Sequence, residues 1–148
     1  MTRREIAKEL IRRNNPELAR EVLAALPEED YGEGASFSAI SLALDRVKAK
    51  WTAKGWVCKS IDLGGLNLIR LPKFKSVDGT LDVSHNKLET LAGCPEKVDV
   101  FYCNNNKLTT LVGCPKKVNK EFFCGNNKKK FSEEDVKKVC KVGGKIWT

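Results

Sequence analysis

The chain has one histidine, one methionine and a single arginine beyond residue 58, and these shortages remove whole classes of function. With His85 as the only imidazole there is no material for a His-based metal cluster, and a Ser/His/Asp triad would have to be built on His85 alone. Neither the G-x-x-x-x-G-K-[ST] loop nor the dinucleotide glycine fingerprint occurs. The six cysteines (Cys58, Cys94, Cys103, Cys114, Cys124, Cys140) contain no C-x-x-C pair, the close spacing that tetrahedral zinc sites use. No run is apolar for long enough to span a bilayer, and the start, Met1-Thr2-Arg3-Arg4-Glu5-Ile6, alternates charged and apolar residues where a signal peptide would be continuously apolar. The expectation is a cytoplasmic protein with no enzymatic activity, metal, cofactor or membrane partner.

What the chain has is lysine. Its 148 residues carry 27 Lys and Arg against 19 Asp and Glu, a net charge of +8. Residues 1–58 are nearly neutral, with ten basic side chains against nine acidic, and residues 59–148 hold seventeen against ten, with Arg70 their only Arg. Readers of bases and phosphates draw on the bidentate fork of Arg. A lysine-rich surface is either simply solvated or faces an acidic partner. The length suits one domain with a real core.

An internal period decides the fold class. Leu81-Asp-Val-Ser-His-Asn86-Lys-Leu88-Glu-Thr-Leu91 aligns with Phe101-Tyr-Cys-Asn-Asn-Asn106-Lys-Leu108-Thr-Thr-Leu111, twenty residues later. The match runs on through Gly93-Cys94-Pro95 and Gly113-Cys114-Pro115 to Lys97-Val98 and Lys117-Val118. A degenerate copy begins at Ile61-Asp-Leu63, and a copy offset by one residue runs Phe122-Phe-Cys124-Gly-Asn-Asn127. Alternate residues 61/63, 81/83, 101/103 and 122/124 are apolar, so each pair faces one side of a short strand, and successive coils stack into a parallel sheet at roughly 4.8 Å spacing. Asn86, Asn106 and Asn127 mark the turn out of each strand, where a buried amide can bond the backbone of neighbouring coils. Leu88, Leu91, Leu108 and Leu111 fill the core from the far side, and the cysteines read as small core hydrophobes.

These repeats resemble leucine-rich repeats, whose unit is L-x-x-L-x-L-x-x-N-x-L. The twenty-residue form with a Pro-containing return is similar to the class in bacterial effectors and tailed-phage proteins, and the run from Phe101 to Val118 is especially like uncharacterised phage repeats. The resemblance covers roughly residues 58–131. It implies an α/β chain: a short leucine-rich-repeat solenoid of about four coils with helical caps at both ends. The corresponding divisions are 1–55 (helical N-terminal cap), 56–131 (repeat stack) and 132–148 (C-terminal cap helix and tail).

Local signals fill in the ends. Thr2-x-x-Glu5 reads as a capping box with Ile6, Leu10 and Ile11 on one helix face. Asn15-Pro16 starts a second helix with Leu18, Val22, Leu23 and Leu26 inward, closed by Pro27 and a loop at 30–34. A third helix carries Phe37, Ile40, Leu44, Val47 and Trp51 at helical spacing, with Trp51 and Trp56 near the first coil. Ser132-x-x-Asp135 starts a last helix with Val136, Val139 and Cys140, broken by Gly143-Gly144, and residues 145–148 add a short strand.

Outward strand positions would form the concave face. Its central column reads Asp62, Asp82, Tyr102, Phe123, its flank Ser60, Thr80, Val100, Glu121, and the strand exits Gly64, Ser84, Asn104, Gly125. Tyr102, Phe123 and Val100 make an apolar spot beside an acidic one, which is either a docking surface or covered by the C-terminal helix or tail, with Trp147 the candidate cover. A second set of candidates is basic. Lys87, Lys107 and Lys128 follow the Asn positions, Lys97 and Lys117 repeat in the return, and Lys129 and Lys130 extend the patch. Like charges one coil apart persist because water screens them or because an anion sits there. The expected function is a non-enzymatic protein-interaction module. If the phage resemblance holds, it implies an inhibitor or adaptor acting on a host defence or transcription protein. The alternative is a basic protein binding nucleic acid through its lysine ladders.

Overall fold

A strand residue needs a partner for its N–H and C=O, and in this chain the partner lies one repeat away. The computed structural model describes residues 3–19 and 37–148. Among the described residues, α1 (Arg3–Arg12), a helical turn at 16–19 and α2 (Phe37–Arg46) precede β1 (Lys50–Thr52), β2 (Gly55–Asp62), β3 (Phe74–Asp82), β4 (Lys97–Val98), β5 (Val100–Tyr102), β6 (Lys117–Val118) and β7 (Phe122–Phe123). A short α3 (Glu133–Lys137), β8 (Lys141–Val142) and β9 (Ile146–Trp147) complete the order. Ile61 pairs with Leu81, Leu81 with Phe101, Phe101 with Phe122 and Phe122 with Ile146, all in parallel. The result is a six-stranded front sheet ordered β1-β2-β3-β5-β7-β9 and a three-stranded second sheet ordered β4-β6-β8. The chain is a parallel-sheet solenoid of about five turns, one more than the repeats at 61–127 suggest, because β8 and β9 add a rung beyond β7.

The inward side chains follow the period of two. Ile61, Leu63, Leu81, Val83, Phe101, Cys103, Phe122 and Cys124 are all buried, and Leu88, Leu91, Leu108 and Leu111 close the core from the opposite wall. Phe101 and Phe122 meet edge to face, with centroids 5.2 Å apart. Two backbone features make the corner between these walls. The residue before each ladder position is left-handed: Gly65, His85, Asn105 and Asn126, with φ between 52° and 71°. Asn and His tolerate this region better than most residues because a short polar side chain can bond locally. The next residue is the ladder residue. Asn86 accepts from the Leu66 and Leu68 amides (both 3.0 Å) and donates to the carbonyls of Leu63, Val83 and Ser84. Asn106 and Asn127 repeat the pattern one coil on each time, accepting from Leu88 and Leu108.

The helical part departs from the sequence reading in three places. On α1 the buried face is Ile6, Ala7 and Leu10, while Ile11 is 58% exposed. Ile11 is the penultimate helical residue, just before the chain turns away through left-handed Asn14. Trp51 is not on the third helix. That helix ends at Arg46, left-handed Lys48 turns the chain, and Trp51 lies on β1, antiparallel to β2 and edge to face with Trp56 at 5.5 Å. The Ser132 capping box forms as expected, but α3 lasts only to Lys137. Val139 and Cys140 lie beyond it, ahead of the Gly143-Gly144 pair. Asn15 does cap the turn that begins at Pro16, accepting from the Leu18 amide (3.3 Å) and donating to Asp45 of α2 (2.8 Å). α1 packs on α2, and α2 touches β2. Thr2, Val22, Leu23, Leu26, Pro27 and the loop at 30–34 lie outside the described residues.

Candidate functional site

Five outward residues stand in one register on the front sheet: Asp62, Asp82, Tyr102, Phe123 and Trp147. The upper two are carboxylates already engaged within their own coils. Asp62 accepts from the Gly64 amide (2.8 Å), and Asp82 accepts from the Ser84 amide (2.9 Å) and hydroxyl (2.6 Å). Each is a turn in which an Asp side chain replaces a backbone acceptor. That bond draws Ser84, placed outward by the sequence, into a buried position.

The lower three are rings. Tyr102 and Phe123 stack at 4.3 Å with planes 13° apart, and Phe123 and Trp147 stack at 5.7 Å with planes 2° apart. The tail therefore does not cover the aromatic spot. It supplies the next rung, and Trp147 is 42% exposed. The Trp147 indole N–H donates to Glu121 (2.7 Å), and the Lys145 ammonium lies 3.6 Å from the Trp147 ring centroid. Glu121 thus fixes the indole, and the flank of the column reads Val100, Glu121, Lys145. Because Phe123 is sandwiched and its neighbours each lend it a face, the column turns ring edges outward. An aromatic edge carries positive partial charge and an apolar perimeter. Asn104, at the strand exit, is half-buried, and its carbonyl serves the Asn106 amide and the His85 N–H.

Compared with known protein families, with curated proteins and with solved structures, the chain matches none.

The basic candidates separate into two groups on different walls. The first follows the Asn corner, and its register slips. The Lys87 and Lys107 amides bond Leu68 and Leu88, but the Leu108 carbonyl receives the Lys129 amide, so Lys129 rather than Lys128 continues that row. Lys128 and Lys130 are exposed beside it. The second group lies on the small sheet, where Lys97 pairs with Lys117 and Lys117 with Lys141. Lys141 went unnoticed in the sequence although the signal is there: Lys141-Val142 repeats Lys97-Val98 and Lys117-Val118. Trp147 as a column member was legible in the same way, since Ile146-Trp147 repeats the inward-outward order of Phe122-Phe123.

The cysteines serve mainly as packing. Cys58, Cys103, Cys124 and Cys140 are buried, and Cys94 and Cys114 half-buried. Burial pushes the Cys58 and Cys124 thiols up to about 11, and that of Cys103 well above the usual thiol range. Cys114 and Cys140 interact directly, which raises Cys114 and lowers Cys140. Among the described residues, no three His, Cys, Asp or Glu side chains converge into a metal-sized cluster. A cavity of about 540 Å³ opens on the return wall between Ile69, Arg70, Lys73, Glu89 and Cys94; neither the outward column nor the lysine rows line it, and Phe74 at the start of β3 is the front sheet's one contribution. No helix among the described residues is long and apolar enough to cross a membrane.

Proposed function

We propose that the chain is a short leucine-rich-repeat protein, capped by its helices, that works without catalysis by docking another protein on its front sheet. The observation behind this reading is the column of mutually stacked rings, Tyr102, Phe123 and Trp147. A sugar or a nucleobase binds an aromatic by lying on its face, and here both faces of Phe123 and one face each of Tyr102 and Trp147 are taken up by stacking, with the Lys145 ammonium over Trp147. What remains is an apolar, edge-on ridge held by a hydrogen-bonded sheet, which suits the shallow apolar and carbonyl-lined surface of a protein partner. Aromatic anchors on rigid elements dominate such interfaces. The phage-like character of the repeat makes the chain an inhibitor or adaptor and its partner a host protein of the defence or transcription machinery.

The test is a pull-down of the tagged chain from nuclease-treated bacterial lysate, run beside a Tyr102→Thr/Phe123→Thr variant. Threonine keeps strand propensity while removing both rings. A protein captured at near-equal amounts by the parent should be lost from the variant, with affinity weakened by about 2–4 kcal/mol, roughly 30- to 1,000-fold. Retention of that protein by the folded variant would refute the front-sheet reading.

A further inference from the structure

We propose that the lysine row Lys97–Lys117–Lys141 on the small sheet is a second docking surface, separate from the aromatic column, and that it takes the sugar-phosphate backbone of a nucleic acid. Strand pairing places these three residues in one file, spanning two rung spacings or about 10 Å. All three are exposed, and none pairs with an acid among the described residues. The acids flanking the row are already engaged. Glu96 pairs with Lys116 (3.5 Å), and Asp99 accepts from the Asn119 amide. On the next coil the same flanking places hold Lys116 and Asn119, and beside Lys141 they hold Cys140 and Gly143, so no further carboxylate arrives at these places to neutralise the row. Val98 and Val118 are buried beneath it and Val142 half-buried, so the backbone that carries the charges is anchored in the core.

Three ammonium groups in line are mutually repelling until an anion with charges in line meets them. About 10 Å is roughly three axial steps from phosphate to phosphate along one strand of a duplex. Lysine is a point charge without a planar fork, and Asn119, the nearby side chain able to read a base edge, is held by Asp99. Binding is therefore to backbone and independent of sequence. The aromatic column takes no part.

The experiment is fluorescence anisotropy of a labelled short duplex titrated with the full chain over a series of salt concentrations. Two triple variants of equal net charge are compared: Lys97→Gln/Lys117→Gln/Lys141→Gln and Lys87→Gln/Lys107→Gln/Lys129→Gln. The first should weaken binding at least tenfold at low salt and flatten the slope of log K against log salt by about 2–3. The second should change both far less. Tyr102→Thr/Phe123→Thr should bind the duplex as the parent does, which keeps failure here distinct from failure of the protein-docking reading. Equal losses in the two triples would reduce the effect to net charge and overturn the proposal. So would absence of duplex binding by the parent, or competition by poly-glutamate as effective as that by unlabelled duplex.

Discussion

Asn106→Ala removes one side chain that four backbone groups use, and the partners of each group decide the cost. The amide donates to the carbonyls of Val83, Cys103 and Asn104. All three keep another donor after the substitution: Val83 has the Asn86 amide, Cys103 has that of Asn127, and Asn104 has the His85 N–H. The Leu88 N–H, which the Asn106 oxygen accepts at 3.0 Å, has no such substitute. Stranding one buried N–H costs about 1–3 kcal/mol, and the weakened donor bonds bring the total to about 2–4. For a chain of this size that lowers Tm by roughly 5–12 °C. The same accounting ranks the ladder. Asn86→Ala strands two amides, Leu66 and Leu68, and should be worse. Asn127→Ala strands Leu108 at a half-buried site that water can reach, and should be milder. Calorimetry of the three variants measures the order, and hydrogen exchange at Leu88 localises the damage in Asn106→Ala. An unchanged Tm for Asn106→Ala, or Asn127→Ala as the most damaging, would refute the partner accounting.

Three further outcomes are expected. Gly113→Ala should destabilise by about 2 kcal/mol or more in urea unfolding, because φ is +92° and the added Cβ would lie 2.8 Å from the Ala92 nitrogen of the coil above; a silent substitution would mean the coils can part at that loop. With a thiol reagent at mildly alkaline pH, Cys58, Cys103 and Cys124 should stay unlabelled in the native protein and react once urea is added; mass spectrometry counts the labels, and labelling of Cys103 at the unfolded rate would contradict its place in the core. The backbone N–H and then the hydroxyl of Ser132 hold the Asp135 carboxyl below its usual range. A depressed native pKa means this contribution to α3 is present above the ordinary carboxylate range and is lost as pH falls through the native value. Amide exchange at Ser132 should accelerate in acid in the parent but show no such acid step in Asp135→Asn, and equal acid profiles for the two would remove the cap.

The solenoid was legible because its period is written in side chains that the core selects. Leu81, Phe101, Leu88 and Leu108 recur at fixed spacing, and the Asn positions recur with them. What stayed hidden was written in the backbone. The left-handed residue before each ladder position is Gly, His, Asn and Asn in turn, so no single letter announces it. Trp51 satisfied a helical spacing with Val47 and Leu44, yet the turn at Lys48 breaks the helix between them, and helical periodicity cannot see a break in φ. The second sheet rests on dipeptides, Lys97-Val98 and its copies, too short to register as strands without their neighbours. Asp62, Asp82, Tyr102 and Phe123 share one register, as the alternation in the sequence implies, but whether the tail covers that column or extends it depends on which way Trp147 faces. That was settled by pairing rather than by composition.

The corner made by a left-handed residue and its Asn has a further consequence for how such a chain can grow. Every bond the ladder amides make runs to main-chain atoms of their own coil or the one before it, so a coil recognises its neighbour without regard to that neighbour's front-sheet side chains. A duplicated block of one repeat would find its sockets ready made and would lengthen the ridge by about one strand spacing. The copy ending at Asn127 carries an extra residue and still seats its amide, so the joint accepts errors in copying. The protein behaves in this respect as a ruler with interchangeable divisions: its length can change by whole units while the markings on its face are rewritten independently.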